Sequence, residues 1–115
     1  MYSQKLLDHF QNPRNAGELP PPAQCVEVMN PICGDILRLC VEWSGDAVGA
    51  VRYQVRGCTA SIATGSALTE WMEGKTRAQL KEVTAAQVET EVGGLPAESK
   101  HAAVLAVDAV KKLLK

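Results

Sequence analysis

The chain has 115 residues, the length of one small domain, and we take residues 1–115 as a single unit with a modest core. Its composition, 46% hydrophobic and 22% charged, excludes a disordered polar chain. Twelve Lys and Arg against thirteen Asp and Glu leave a formal charge of -1, which excludes the basic footprint of a nucleic-acid or membrane-surface protein.

In chain order, "SQKLLDHF" predicts a short helix, because Leu6, Leu7 and Phe10 recur at helical spacing. "QNPRNAGELPPPAQ" is a loop punctuated by Pro and Gly. Three strands follow. "CVEVM" alternates with Val26 and Val28 on one face, and "ILRLCVEW" puts Leu37, Leu39, Val41 and Trp43 on one face. The turn "SGDAVG" leads to "AVRYQVR", where Val51, Tyr53 and Val55 share a face. Period-two alternation with a polar opposite face predicts an antiparallel sheet covered on one side.

After Gly57 the pattern becomes helical. "TASIATGSALTEWMEG" places the small residues Ala60, Ala63 and Ala67 where a neighbouring element can approach closely, and Gly74 suits its stop. "TRAQLKEV" and "TAAQVETEVGG" each read as a short helix with a Thr to cap it. A last helix runs from about Glu98 to Lys115, with Glu98 and Ser99 suiting its start and Lys111, Lys112 and Lys115 its end. Strands followed by helices predict an α+β fold, a three-stranded antiparallel sheet with helices packed on one face.

No apolar run reaches the ~18 residues of a membrane span. The N-terminal stretch "MYSQKLLDHF" lacks the apolar core of a signal peptide, so a cytoplasmic location is expected. In that compartment the cysteines, at positions 25, 33, 40 and 58, are expected to be thiols or metal ligands rather than a disulfide framework. They form no C-x-x-C pair, so any site must be assembled by the fold. Cys25 and Cys40 have the opposite parity from the apolar stripe and belong to the polar face. If their strands form a hairpin, a register that pairs Val26 with Leu39 also pairs Cys25 with Cys40. The alternative is two strand cysteines with no joint role.

Cys33 and Cys58 differ in kind. Cys33 sits in the loop "NPICGDI", where Pro31 and Gly34 favour a tight turn and Asp35 follows. Cys58 sits in "RGCTAS", where strand gives way to helix, and a thiol at a helix N-terminus faces the positive end of the dipole. If the third strand returns to the sheet end that holds the Cys33 loop, the two thiols meet there. His101, at the start of the last helix, would close over them. Taken by itself, an imidazole in "SKHAAVLAVDAV" has the ordinary reading of a solvated or satisfied side chain. Together, two thiolates, one imidazole and one carboxylate suit zinc, or iron bound with sulfide. There is no P-loop or dinucleotide fingerprint, and nothing marks an oxyanion hole for a Cys–His hydrolase.

Four segments, "YSQKLLDHFQNPRNAG", "NPICGDILRL", "RGCTASIATGSALTEW" and "LPAESKHAAVLAVDAV", resemble in order the signature segments of the U-type iron–sulfur scaffold family, the IscU, NifU N-domain and SufU group. The resemblance spans nearly the whole chain and implies a compact SufE/NifU-like α+β fold. It implies a protein, not itself an enzyme, that binds iron and builds a 2Fe-2S cluster transiently. Sulfur would come from a cysteine desulfurase, and the cluster would pass to acceptor apo-proteins; zinc frequently occupies such sites in isolated proteins. By motif, Cys33 matches the first cysteine, Asp35 the acidic residue, Cys58 the second cysteine, and His101 the histidine that precedes the third cysteine. That third position is Ala102 here, and a methyl group neither ligates iron nor carries a persulfide. "LPAESK" also departs from the family's proline-rich segment, which argues against recognition by a dedicated Hsp70-type chaperone. The alternatives are a zinc-binding sulfur acceptor that relays persulfide and a degenerate paralogue that only binds partners.

Overall fold

The structure, a computed structural model, describes residues 1–32 and 34–115. Helix α1 (Gln4–Gln11) is capped by Ser3, whose hydroxyl accepts the Leu6 N–H at 3.1 Å. Strands β1 (Gln24–Met29), β2 (Ile36–Ser44) and β3 (Ala47–Arg56) form one antiparallel sheet in the order β1-β2-β3. Helices α2 (Thr59–Met72), α3 (Arg77–Lys81) and α4 (Ala85–Glu91) follow, then a 3-10 turn (Ala97–Ser99) and α5 (His101–Leu113). Thr76 and Thr84 cap α3 and α4 as expected. No helix among the described residues is long and apolar enough to cross a membrane.

The inner face of the sheet carries the predicted stripe. Leu37, Leu39, Val41, Val51 and Tyr53 are buried there, with Val26, Val28, Trp43 and Val55 packed at the margin. Against it lies α2, which is buried nearly all round. Its small side chains set the distance: a β-carbon on Gly65 would meet the Tyr53 ring at 2.5 Å. The Tyr53 hydroxyl in turn donates to Ile62 O at 2.9 Å, and burial pushes its pKa up to about 12. α5 packs on β1, β2, α2 and α4, and completes the covered side of the sheet.

Two boundaries differ from those read in the sequence. β3 starts at Ala47, inside the segment expected to be turn, because the hairpin closes over Gly45 and Asp46 and a register shift at Glu42/Trp43 extends the pairing. α5 starts at His101 rather than Glu98. The turn after Pro96 is wound with i→i+3 bonds, Ser99 N–H to Pro96 O (2.9 Å) and Lys100 N–H to Ala97 O (3.5 Å).

The register of β1 on β2 pairs Val26 with Leu39 and Cys25 with Cys40, and the two sulfurs are joined as a disulfide. This corrects two expectations. The pair is not two thiols, because direct opposition on one face brings the β-carbons within bridging range. Cys40, though of outer-face parity, is buried at 2% exposure rather than open to solvent.

Candidate metal centre

The sheet ends in register: Met29 opposes Ile36, and Ile36 opposes Arg56. The residues just beyond these ends therefore share one rim. Asp35 precedes β2 there, and Gly57 and Cys58 follow β3. The β1–β2 turn is shaped by Asn30, whose side-chain oxygen accepts the Ile32 N–H at 2.8 Å and whose carbonyl accepts the Gly34 N–H at 2.8 Å. The Asn30 N–H donates to Asp35 O at 2.8 Å and closes the turn, with Gly34 at φ +77.

Cys58 is the N-cap of α2, in an extended conformation. His101 reaches the same rim from the first position of α5. The Nε2 atom of His101 lies 3.8 Å from Cys58 Sγ and 3.5 Å from Asp35 Oδ2, and Cys58 Sγ lies 3.4 Å from Asp35 Oδ2. One ligand atom from each of the three residues falls within 4.8 Å of the others. Asp35 is nearly buried, its side chain 10% exposed, while His101 is open at 28%, so the cluster has an interior floor and a solvent-facing side.

Two residues that the sequence reading did not single out complete the seat of Asp35. The Ser61 hydroxyl donates to Asp35 Oδ2 at 2.6 Å and lies 3.4 Å from Cys58 Sγ. Gly57 lets the carboxylate lie against the backbone: a β-carbon there would stand 2.5 Å from Asp35 Cγ. The signal for Ser61 was present, since position N3 of a helix faces back toward its N-cap. The need for Gly57 follows only from the packed geometry. Burial pushes the Asp35 carboxyl up, but hydrogen bonds from Ser61 and from the Cys58 side chain and backbone, with the His101 charge, outweigh it. Its pKa falls below the usual 3.8, so the group is an anion at neutral pH.

Of the four residues expected at the site, the structure thus brings Asp35, Cys58 and His101 together; Cys33 lies outside the described residues. Ala102 follows His101 and is buried at 2% exposure, presenting only a methyl. Among the described residues, a thiol, an imidazole and a carboxylate at these separations fit three ligand positions of a single divalent ion.

Known proteins share this sequence pattern and fold. The family profile described as NifU-like N terminal domain matches residues 1–115. The chain is 38% identical over 114 residues to the iron-sulfur cluster assembly scaffold protein IscU 1 of Archaeoglobus fulgidus, covering 99% of this chain and 74% of that protein. It is 36% identical to the scaffold protein IscU of Azotobacter vinelandii, covering 96% and 88%. Among solved structures, the putative scaffold protein for the SUF system from Fervidobacterium islandicum AW-1 superposes with a TM-score of 0.79 at 19% identity, covering 99% of this chain and 96% of that one. The N-terminal NifU-like protein of Brucella abortus gives 0.78 at 18%, covering 97% and 90%. A full-length profile match, identity well above 30% to several scaffolds and a shared fold lead to one statement: this chain belongs to the NifU-like N-terminal domain family, the group of the U-type iron–sulfur scaffolds.

Proposed function

We propose that this chain is an iron–sulfur cluster assembly scaffold: it binds iron, receives sulfur from a cysteine desulfurase, holds a 2Fe-2S cluster transiently and passes it to acceptor apo-proteins. It performs no turnover of its own. The observation that carries this reading is the meeting of Asp35, Cys58 and His101 at one rim of the sheet, within a family whose relatives are named as scaffolds.

The cluster is cargo here, so its ligands must hold it and let it go. Cys58 and Cys33 supply the soft donors, either of them able to accept sulfur. His101, on the open side of the site, supplies a borderline donor. Asp35 supplies a hard oxygen, poorly matched to a sulfide-bridged centre and hence the labile member of the shell. With Ala102 in place of a further thiol, the shell is mixed rather than all-thiolate, which favours easy transfer over long retention. Anaerobic reconstitution with iron, sulfide and reductant tests the reading. The wild-type protein should develop visible charge-transfer absorption. A colourless wild type beside a coloured Ala102→Cys variant would reject the scaffold role.

A second reading has one observation in its favour. Three donors of different softness within 4.8 Å, with Cys33 as the fourth, suit a single tetrahedral zinc ion. In that case the chain is a zinc-binding sulfur acceptor that relays persulfide without building a cluster. Metal analysis of purified protein, run beside a desulfurase assay, separates the two.

A further inference from the structure

We infer that Ser61 is a positioning residue for the metal centre: its hydroxyl holds the Asp35 carboxylate in the orientation that lets Asp35, Cys58 and His101 take one ion together. The inference rests on the metal-site reading above and adds a residue to it.

Ser61 is 3% exposed and occupies position N3 of α2, so its side chain is fixed by the helix and faces the N-cap, Cys58. A serine hydroxyl has one hydrogen to give. At 2.6 Å from Asp35 Oδ2 it is given to the carboxylate, in the short range of a charge-assisted bond. That same oxygen faces Cys58 Sγ at 3.4 Å and His101 Nε2 at 3.5 Å. Ser61 thus grips the carboxylate from the protein interior, and the other two donors stand on its remaining sides. The glycine at position 57 leaves room for that pose, since a β-carbon there would stand 2.5 Å from Asp35 Cγ. Without the hydroxyl, a nearly buried carboxylate loses its shortest hydrogen bond and gains a reason to swing toward water, away from the other two donors. Ser61 need not touch the ion. Outer partners of this kind typically change metal affinity ~10–100-fold when removed.

The test is anaerobic titration of the whole chain with Co2+ alone, read by visible absorption, with Zn2+ competition for the affinity. Wild type should show a thiolate-to-cobalt band and a defined d–d envelope. Ser61→Ala should keep the thiolate band, change the d–d envelope and bind about tenfold more weakly. Ser61→Thr, which retains the hydroxyl, should restore both. On an Asp35→Ala background the Ser61→Ala change should have no further effect, because the two act as one unit. Should Ser61→Ala fail to fold, Ser61→Val, which matches Ser61→Thr in shape but lacks the hydroxyl, carries the same expectation. A wild type that binds no Co2+ overturns the metal-centre reading and this inference with it. A wild type that binds Co2+ while the Ser61 variants match it in spectrum and affinity overturns this inference alone. So does a Ser61→Ala loss that persists undiminished on the Asp35→Ala background.

Discussion

At the scale of single residues, the centre depends as much on what is missing as on what is present. Gly57 is the clearest case. Its backbone is unremarkable, yet a methyl there would overlap the Asp35 carboxylate, at 2.7 and 2.9 Å from its two oxygens. Gly57→Ala should therefore displace Asp35 and weaken Zn2+ binding about 10–100-fold, measured by chelator competition. Affinity equal to wild type would show that the carboxylate is not a ligand. His9 makes the second residue-scale prediction. It is buried at 2% exposure, with Nδ1 2.7 Å from Ser66 Oγ and 3.3 Å from an Arg14 guanidinium nitrogen. Burial first, then the Arg14 and Lys5 charges, hold its pKa below the usual 6.5 against the opposing pull of Glu70 and Asp8. The unfolded chain then takes up a proton more readily than the folded one. Stability is complete above about pH 6.5 and falls as the pH drops through that value. Thermal melts between pH 7 and pH 5 should fall more steeply for wild type than for His9→Gln. Parallel curves would contradict the assignment.

At the scale of elements, the strands were the most legible part of the chain. Alternation placed Leu37, Leu39, Val41, Val51 and Tyr53 on the buried face. Parity left the hairpin register open, and the one that pairs Val26 with Leu39, and so Cys25 with Cys40, is the one the structure has. The helix caps at Thr76 and Thr84 were equally plain, because a Thr ahead of a short amphipathic run has a local meaning. The bulge at Glu42/Trp43 and the 3-10 turn at Ala97–Ser99 were not legible. Both depend on how neighbouring elements dock, which periodicity does not encode. The bridge between Cys25 and Cys40 closes a loop with a sequence separation of 15, and that loop carries the turn that presents Asp35. In the chain-entropy view a loop of that length is worth ~3 kcal/mol to the folded state. The Cys25→Ser/Cys40→Ser variant should unfold at lower urea than oxidised wild type, by up to that amount. Alkylation and intact mass of freshly isolated protein should find this pair protected. Two fully alkylated thiols at these positions would exclude a native bridge.

At the scale of the molecule, one rim of the sheet gathers residues that are far apart in sequence: Asp35 before β2, Cys58 at the N-cap of α2, and His101 at the head of α5. The sequence pointed to these three, with Cys33, through their places at junctions between elements and through the motifs of the family they resemble. Ser61 was legible only as a polar residue at position N3, facing its N-cap, and Gly57 not at all, because its role exists only once Asp35 has a place to lie. The fold relates them through the antiparallel order β1-β2-β3, which returns β3 to the end where β2 began, and through α5, which packs against β1, β2 and α2. If this rim is one metal centre, it takes a divalent ion between its three donors. Crystals grown with one equivalent of Zn2+ and measured at the zinc absorption edge test it most directly. An anomalous peak should appear within bonding distance of Cys58 Sγ and His101 Nε2, on the side of Asp35 away from Ser61. A peak elsewhere on the molecule, with nothing between Cys58 and His101, would contradict it.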